Sequence, residues 1–233
     1  MKKLETMIGY PPDFRVKDGN VYELNLDEFD MSDLSPLKTL PHLQKLYINK
    51  TEVSDLSALK HLNKLWELYM DHTDVTDLSP LANLKNLRYL HLAYTDVSDL
   101  SSLANLENLL LLHLEHTKVS DVSPLRNLRK LEDLTLEHAD VSDISPLKNL
   151  TNLKRLHLPD TNVKDISPLK KMKKLMLLDL ENTQVTDLSP LKKLNNLQWV
   201  ELKRTEIPRE NKVVQALIAR DVDVGGDWPS WSL

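Results

Sequence analysis

The sequence predicts an α/β repeat solenoid with a parallel β-sheet on its concave side and short 3₁₀ or α turns on its convex side. Three observations lead to this prediction. An apolar pattern recurs every 22 residues, without insertion or deletion, from Val21 to Ile207. Each unit contains a short alternation of apolar and polar residues, which is typical of a half-buried strand. Aromatic residues make up only 5% of the chain, and narrow, identical leucine layers need few large rings.

Residues 1–20 precede the repeats, and we expect them to form an N-terminal cap. Asp18-Gly19-Asn20 is a hairpin turn signal, because both central positions of such a turn need positive φ. We therefore expect residues ~13–17 to pair with residues ~21–26. A frayed tail is the alternative, but an uncapped first repeat would expose its leucine layer.

The repeats occupy residues 21–207, and each one contains a strand. In the unit that begins at Leu87, residues 89–93 alternate, with Leu90 and Leu92 pointing inward. Stacked strands lie ~4.8 Å apart, so the repeats build one continuous parallel sheet. The units begin at Val21, Leu43, Leu65, Leu87, Leu109, Leu131, Leu153, Leu175 and Leu197.

Three polar positions recur with the leucines. A threonine column at position 9, interrupted by Phe29 and Ala139, is expected to satisfy backbone groups of adjacent turns. At position 15 a serine usually precedes proline, which predicts a serine N-cap and one helical turn. The aspartates at position 13 favour turn capping over a ladder of bound cations, because they recur with the fold. No glycine lies between residues 20 and 224, so we expect the repeats to turn without glycine's left-handed conformations.

The repeated motif L-x-x-L-x-L-x-x-T-x-V-x-D-[LI]-S-P-L-x-x-L resembles leucine-rich repeats of the 22-residue class. Bacterial internalins and the leucine-rich regulatory subunit of protein phosphatase 1 carry such repeats. The resemblance covers residues 21–207 and implies a right-handed horseshoe with a protein-binding role. Those families usually have Asn where this chain has Thr, so the sequence is similar to a variant subclass.

Residues 208–233 depart from the pattern and are expected to form a C-terminal helical cap with a tail. Val213, Val214, Leu217 and Ile218 lie on one stripe of a helix over residues ~209–220. A short strand around Val222 and Val224 is expected to follow. Trp228 and Trp231 either fold back on the cap or form a short peptide for a partner.

Candidate functional residues lie at the variable strand positions 3, 5, 7 and 8, because the leucines only build the fold. Exposed aromatic residues with a charged rim are typical of protein-binding hot spots. The alternative is that these side chains merely pack across strands. The central patch comprises Tyr47, Tyr69, Tyr89, His91, Leu111 and His113. Tyr94, Asp71, Glu115 and Glu137 border it, and Leu177 with Trp199 forms a second, smaller patch beside acidic residues.

Charge predicts the character of the partner. The chain carries a net charge of −5, the strand side is mostly acidic, and lysines and arginines concentrate on the turn side. We therefore expect the partner to be a protein with basic and aromatic contact groups. We expect the chain itself to be a monomer. The mild net charge argues against nucleic-acid binding. By analogy with phosphatase regulation, the alternative is an effector or regulatory subunit that modulates a partner enzyme.

The sequence favours a non-enzymatic protein without a cofactor. It has no cysteine, which removes disulfides, thiolate metal ligands and thiol nucleophiles. It has no glycine-rich phosphate loop and no Ser-His-acid grouping beyond what repetition produces. A remote alternative is a metal site built from His91, His113, Glu115 and Glu137.

We expect no membrane span, because no run approaches ~18 apolar residues. The N-terminus MKKLETMIGYPPDF lacks an apolar secretion signal. Internalins also carry a helical cap of their own and a following Ig-like domain, and this sequence shows no recognisable counterpart of either. We therefore expect a cytoplasmic protein, with export by a signal-less route as the alternative.

Overall fold

The computed structural model describes residues 11–225, which form one sheet of eleven strands in sequential order. β1 and β2 pair antiparallel, and all later neighbours pair parallel. This arrangement is a right-handed leucine-rich-repeat solenoid, as predicted. The strands are β1 (Asp13–Lys17), β2 (Asn20–Asn25), β3 (Lys45–Tyr47), β4 (Glu67–Tyr69), β5 (Tyr89–His91), β6 (Leu111–His113), β7 (Asp133–Thr135), β8 (Arg155–His157), β9 (Leu177–Asp179), β10 (Trp199–Glu201) and β11 (Asp223–Val224).

The 22-residue period becomes the register of the parallel sheet. Leu90 pairs with Leu112, and Leu112 pairs with Leu134, so equivalent positions stack in straight columns. Apart from the partly buried Leu40 and Leu202, the leucines at the repeated apolar positions are 0–5% exposed and form one continuous core. Burial of these apolar side chains stabilises the stack at about 1.5–3 kcal/mol per leucine.

Each of the first eight repeats carries one short 3₁₀ segment on the convex side. These segments are Ser35–Thr39, Ser57–Leu59, Ser79–Leu81, Ser101–Leu103, Ser123–Asn127, Ser145–Asn149, Ser167–Lys171 and Ser189–Lys193. The predicted serine N-cap is wrong, because each serine is the first residue of its segment. The aspartate two residues earlier holds the turn instead.

That aspartate makes two hydrogen bonds within its own turn. In the repeat that begins at Leu87, Asp99 Oδ1 accepts from the Ser101 backbone N–H at 2.8 Å, and Oδ2 accepts from the Ser101 hydroxyl at 2.9 Å. The same pair of bonds recurs from Asp33 to Asp187. The bonds favour the charged form and hold the pKa of Asp77, for example, below its usual range. Turn capping accounts for this column.

The threonine column also acts within one coil rather than between coils. Thr95 donates from its hydroxyl to the carbonyl of Leu92 at 2.7 Å and is 4% exposed. Six further threonines make the equivalent bond. Adjacent coils are bridged by backbone bonds such as Leu92 N–H to His113 C=O at 3.0 Å.

The chain turns after each strand through a left-handed residue at position 8, contrary to the expectation from the missing glycines. Nine non-glycine residues there have φ between 52° and 64°: Glu28, Lys50, His72, Tyr94, His116, His138, Asp160, Asn182 and Arg204. A side chain in this conformation costs roughly 1–2 kcal/mol. Bonds from the same residues, such as Tyr94 N–H to Glu115 C=O at 2.8 Å, offset this cost.

The two ends of the described chain cover the outer repeats. The β1–β2 hairpin turns at Asp18 and Gly19, with an irregular register between Arg15 and Val16. At the other end, α1 (Lys212–Ile218) is shorter than predicted, because Asn211 caps it by accepting from the Val213 N–H at 2.8 Å.

Helix α1 buries Val213, Val214 and Leu217. Ile218, predicted to share that apolar stripe, remains 38% exposed. Trp228 and Trp231 lie outside the described residues.

Within residues 11–225, no helix combines the length and the apolar character needed to cross a bilayer.

Candidate protein-binding face

Two rows of stacked rings run across the strand side of the central repeats. The position-5 row joins Tyr47 to Tyr69 at 4.9 Å between ring centroids, Tyr69 to His91 at 4.0 Å, and His91 to His113 at 4.4 Å. The position-8 row joins His72 to Tyr94 at 4.2 Å, Tyr94 to His116 at 4.3 Å, and His116 to His138 at 4.3 Å. Seven of these eight side chains belong to four consecutive repeats, so they form one continuous surface.

The repeat geometry places these rings in rows. Parallel pairing sets Tyr69 beside His91 and His91 beside His113, so side chains at position 5 point the same way from neighbouring strands. The left-handed backbone at position 8 similarly orients Tyr94 and His116. Cross-strand packing, the alternative named from the sequence, therefore does occur between these rings. Stacking still leaves Tyr94 48% exposed, whereas the His91 side chain is only 14% exposed.

A third group of apolar side chains lies at position 3. Tyr89 and Leu111 are half-buried register partners on β5 and β6. The rings of Tyr89 and Trp66 form a T-shaped pair with 5.8 Å between centroids, and Lys45 Nζ lies 4.8 Å from the centroid of the indole. The central patch thus has an aliphatic side chain beside its rings.

The acids of the face differ in what neutralises them. At position 3, Glu23 pairs with Arg15 at 3.3 Å, Glu67 with Lys45 at 2.8 Å, and Asp133 with Arg155. These carboxylates already have basic neighbours on the same molecule, so they contribute little attraction for a partner.

Three position-7 acids of the central repeats lie near imidazoles rather than near a lysine or arginine. Asp71 lies 4.0 Å from His91 Nδ1, Glu115 lies 3.8 Å from His113 Nδ1, and Glu137 lies 3.8 Å from His138 Nε2. Within residues 11–225, none of these three carboxylates pairs with a lysine or arginine. The negative potential of the face therefore concentrates between the two ring rows.

Buried acceptors add to this central polarity. Glu115 Oε2, Asp133 Oδ1 and Thr135 Oγ1 are buried side-chain oxygens without a hydrogen-bond partner among the described residues. Asp133 and Thr135 are only 6% and 7% exposed. An unsatisfied buried acceptor costs about 1–3 kcal/mol, and the fold carries this cost at the centre of the face.

Burial shifts the pKa of several groups of the face in the direction that favours the neutral form. It lowers the pKa of His91 to about 3, with repulsion from His113 as a second cause, and it lowers the pKa of His157 to about 4. Burial also raises the pKa of Asp71 and of Tyr69, the latter helped by the nearby Glu67 carboxylate. Near neutral pH, His91 and His157 are therefore neutral rings.

The second predicted patch is not exposed. Leu177 is fully buried and Trp199 is 2% exposed. Leu177 lies in register between Arg155 and Trp199, and Trp199 lies between Leu177 and Asp223. Long side chains on strands ~4.8 Å apart cover one another. The alternation of apolar and polar residues therefore predicted correctly that these two side chains point away from the core. It predicted wrongly that they are exposed to solvent.

The side chains that cluster as possible metal ligands differ from the metal site suggested by the sequence. Among the described residues, the three side chains that bring metal-ligand atoms within 4.8 Å of one another are His116, Glu137 and His138. His91, His113 and Glu115 do not join that cluster. Sequence reasoning left His72, His116 and His138 out of the site, although their 22-residue spacing with Tyr94 placed all four in one column.

Comparisons with known proteins place this geometry in context. The family model described as Leucine Rich repeats (2 copies) matches residues 151–193. The comparison with curated proteins finds no match.

Several solved structures are similar. An internalin C2 from Listeria monocytogenes is 28% identical, with a TM-score of 0.77 over 85% of this chain and 90% of that one. An internalin InlF from the same species is 22% identical, with a TM-score of 0.67 over 96% and 86%. A leucine-rich-repeat protein of Leptospira interrogans is 21% identical, with a TM-score of 0.75 over 87% and 60%. The last two share the fold with this chain.

Proposed function

Because this chain is a leucine-rich-repeat protein similar to the bacterial internalins, we propose that it is a non-enzymatic module that binds a protein partner on its concave strand face. The leucine-rich-repeat fold supports protein interaction in general. The observation that carries the more specific proposal is the pair of stacked ring rows with carboxylates between them. The proposed contact residues are Tyr47, Tyr69, Asp71, Tyr89, His91, Tyr94, Leu111, His113, Glu115 and Glu137.

The partner should present basic and aromatic groups. Among residues 11–225, Asp71, Glu115 and Glu137 pair with histidines but with no lysine or arginine. An arginine or lysine of the partner can therefore form a charge-assisted hydrogen bond with these carboxylates. Aromatic groups suit the exposed ring of Tyr94 and the apolar pair Tyr89 and Leu111. Stacking holds most of the rings in place beforehand, which reduces the side-chain entropy lost on binding.

A binding role fits the histidines better than catalysis does. His91 contacts rings on both sides and approaches the Asp71 carboxylate, while its low pKa makes it a poor proton acceptor near neutral pH. His116 likewise lies between the rings of Tyr94 and His138.

The test is affinity capture from native lysate, with quantitative mass spectrometry. The test variant replaces Tyr89, Tyr94 and Leu111 by Ala, since these side chains lie on the face and make no side-chain hydrogen bond within residues 11–225. The matched control replaces three exposed lysines of the convex side, Lys148, Lys170 and Lys192, by Ala. Thermal unfolding of both variants checks that each remains folded.

We expect the face variant to capture at least tenfold less of a partner that the wild type and the control both capture. Equal capture by all three proteins would contradict the proposed face. If the captured partner is an enzyme, its activity with and without this protein distinguishes a regulatory subunit from a passive scaffold.

A further inference from the structure

A cluster of potential metal ligands lies at the edge of the strand face, where the position-8 row ends. One nitrogen each of His116 and His138 and one carboxylate oxygen of Glu137 lie within 4.8 Å of one another. Asp160 Oδ2 is 3.5 Å from His138 Nε2 and adds a fourth possible ligand. None of these side chains is in the hydrophobic core, so an ion from solvent can reach them.

The backbone places these ligands in a fixed relation. His116 and His138 have φ of 52° and 53°, and both occupy position 8 of adjacent coils. The His116 N–H donates to the Glu137 carbonyl at 2.8 Å, and the His138 N–H donates to the Pro159 carbonyl at 3.1 Å. Both imidazoles are therefore carried by hydrogen-bonded backbone on the same side as the Glu137 side chain. Little backbone movement is needed to bring the ligands together.

We propose that His116, Glu137 and His138 form a binding site for a divalent transition metal ion of the Zn²⁺ type. Two imidazoles and a carboxylate form a ligand set that zinc commonly uses, with Zn–N and Zn–O distances of about 2.0–2.2 Å. Imidazole ligands favour zinc, copper or nickel over calcium and magnesium, which take oxygen ligands. The fourth position of a tetrahedral ion goes to Asp160 or to water.

Binding requires a local change in the rings but not in the fold. The His116 and His138 rings stack at 4.3 Å with 28° between their planes, so their in-plane lone pairs do not yet converge. Rotation of each ring about χ2 exchanges the stacking contact for coordination. His138 is on the exposed edge and His116 is partly exposed, so these rotations meet little packing resistance.

The same row offers a matched control. His72 also occupies position 8, has φ of 55° and stacks on Tyr94, but it does not belong to the cluster. His72→Ala therefore removes an exposed histidine of the same row without removing a proposed ligand.

The experiment titrates Zn²⁺ into the EDTA-treated, dialysed full chain by calorimetry. The variants are His116→Ala with His138→Ala, Glu137→Gln alone, and His72→Ala. We expect one saturable site in the wild type, at least tenfold weaker binding in the double variant, weaker binding in Glu137→Gln, and a change of less than twofold in His72→Ala. Thermal unfolding without metal checks that each variant is folded.

A second readout is the absorption spectrum with Co²⁺, which reports the coordination geometry when cobalt replaces zinc. We expect visible bands of tetrahedral cobalt in the wild type and in His72→Ala, and their loss in the double variant. Zinc binding that is equal in the wild type and the double variant would overturn the proposal. Equal weakening by His72→Ala would also overturn it. Both measurements use the isolated protein, so their outcome is independent of the partner proposed above.

Discussion

The ring of Tyr69 stacks on the imidazole of His91, with 4.0 Å between centroids and 21° between planes. The two residues are 22 apart in the chain and are register partners on β4 and β5. This contact helps to bury His91 and so to disfavour its charged form. The pH dependence of stability follows from it.

We predict that His91→Phe makes the fold less sensitive to acid. Folding lowers the pKa of His91 to about 3 from an unfolded value of about 6.5. The unfolded chain therefore binds more protons in this window, and wild-type stability falls as the pH drops from 6.5 towards 3. Phe keeps a ring that can stack but has no titrating group. The free energy of unfolding of the variant should therefore fall by roughly 1–3 kcal/mol less than that of the wild type over this range.

Urea unfolding at pH 7.5 and pH 4.5 measures this difference. His61→Phe, at an exposed position, serves as the control and should lose as much stability as the wild type. An identical loss in His91→Phe and the wild type would show that His91 titrates normally.

We predict the opposite sign for Asp179. Burial, with repulsion from Glu201, Glu181 and Glu137, raises its pKa to about 6. Since the folded state then binds more protons between pH ~3.8 and 6, stability contributed by the neutral acid is lost as the pH rises through that window. Asp179→Asn keeps the acceptor for the Glu181 N–H and should stabilise the protein at pH 7.5 by about 1–3 kcal/mol.

The check compares thermal unfolding of Asp179→Asn and wild type at pH 7.5 and pH 3.5. The stabilisation should be much smaller at the lower pH, which lies below the pKa of Asp179 in both the folded and the unfolded state. A gain that is the same at both values would point to packing rather than charge.

We predict that one turn aspartate stabilises the whole stack. Asp99→Ala removes both hydrogen bonds to Ser101 and should cost about 0.5–2 kcal/mol, the range measured for helix N-caps. Urea unfolding against the exposed control Glu107→Ala tests this. A variant as stable as the control would mean that water replaces the carboxylate at no cost.

We predict that the left-handed position 8 prefers glycine over alanine. Lys50 has φ of 55°, so Lys50→Gly should be more stable than Lys50→Ala by about 1 kcal/mol. At Lys64, which is not among the residues with positive φ, the order should reverse, because glycine there only increases the entropy of the unfolded chain. Thermal unfolding of the four variants gives the comparison, and the same order at both positions would contradict the backbone assignment.

The sequence by itself determined the fold of the repeats. A strict 22-residue period fixes which positions share a column, and the alternation at Leu90 and Leu92 fixes which side of each strand enters the core. The sequence also identified Asp99 and its equivalents as turn residues. These features depend on local chemistry that repeats in every unit, so one repeat contains nearly all the information.

Only the tertiary structure decided what each outward column presents to solvent. Leu177 and Trp199 share their direction with Tyr89 and Leu111, yet they are buried because of what lies beside them. Glu67 and Glu115 both point outward, but Lys45 neutralises one while the other faces His113. His116 meets His138 because a left-handed backbone turns both side chains to one edge. Exposure, pairing and ligand geometry depend on neighbours 22 residues away and on their rotamers, which differ from repeat to repeat.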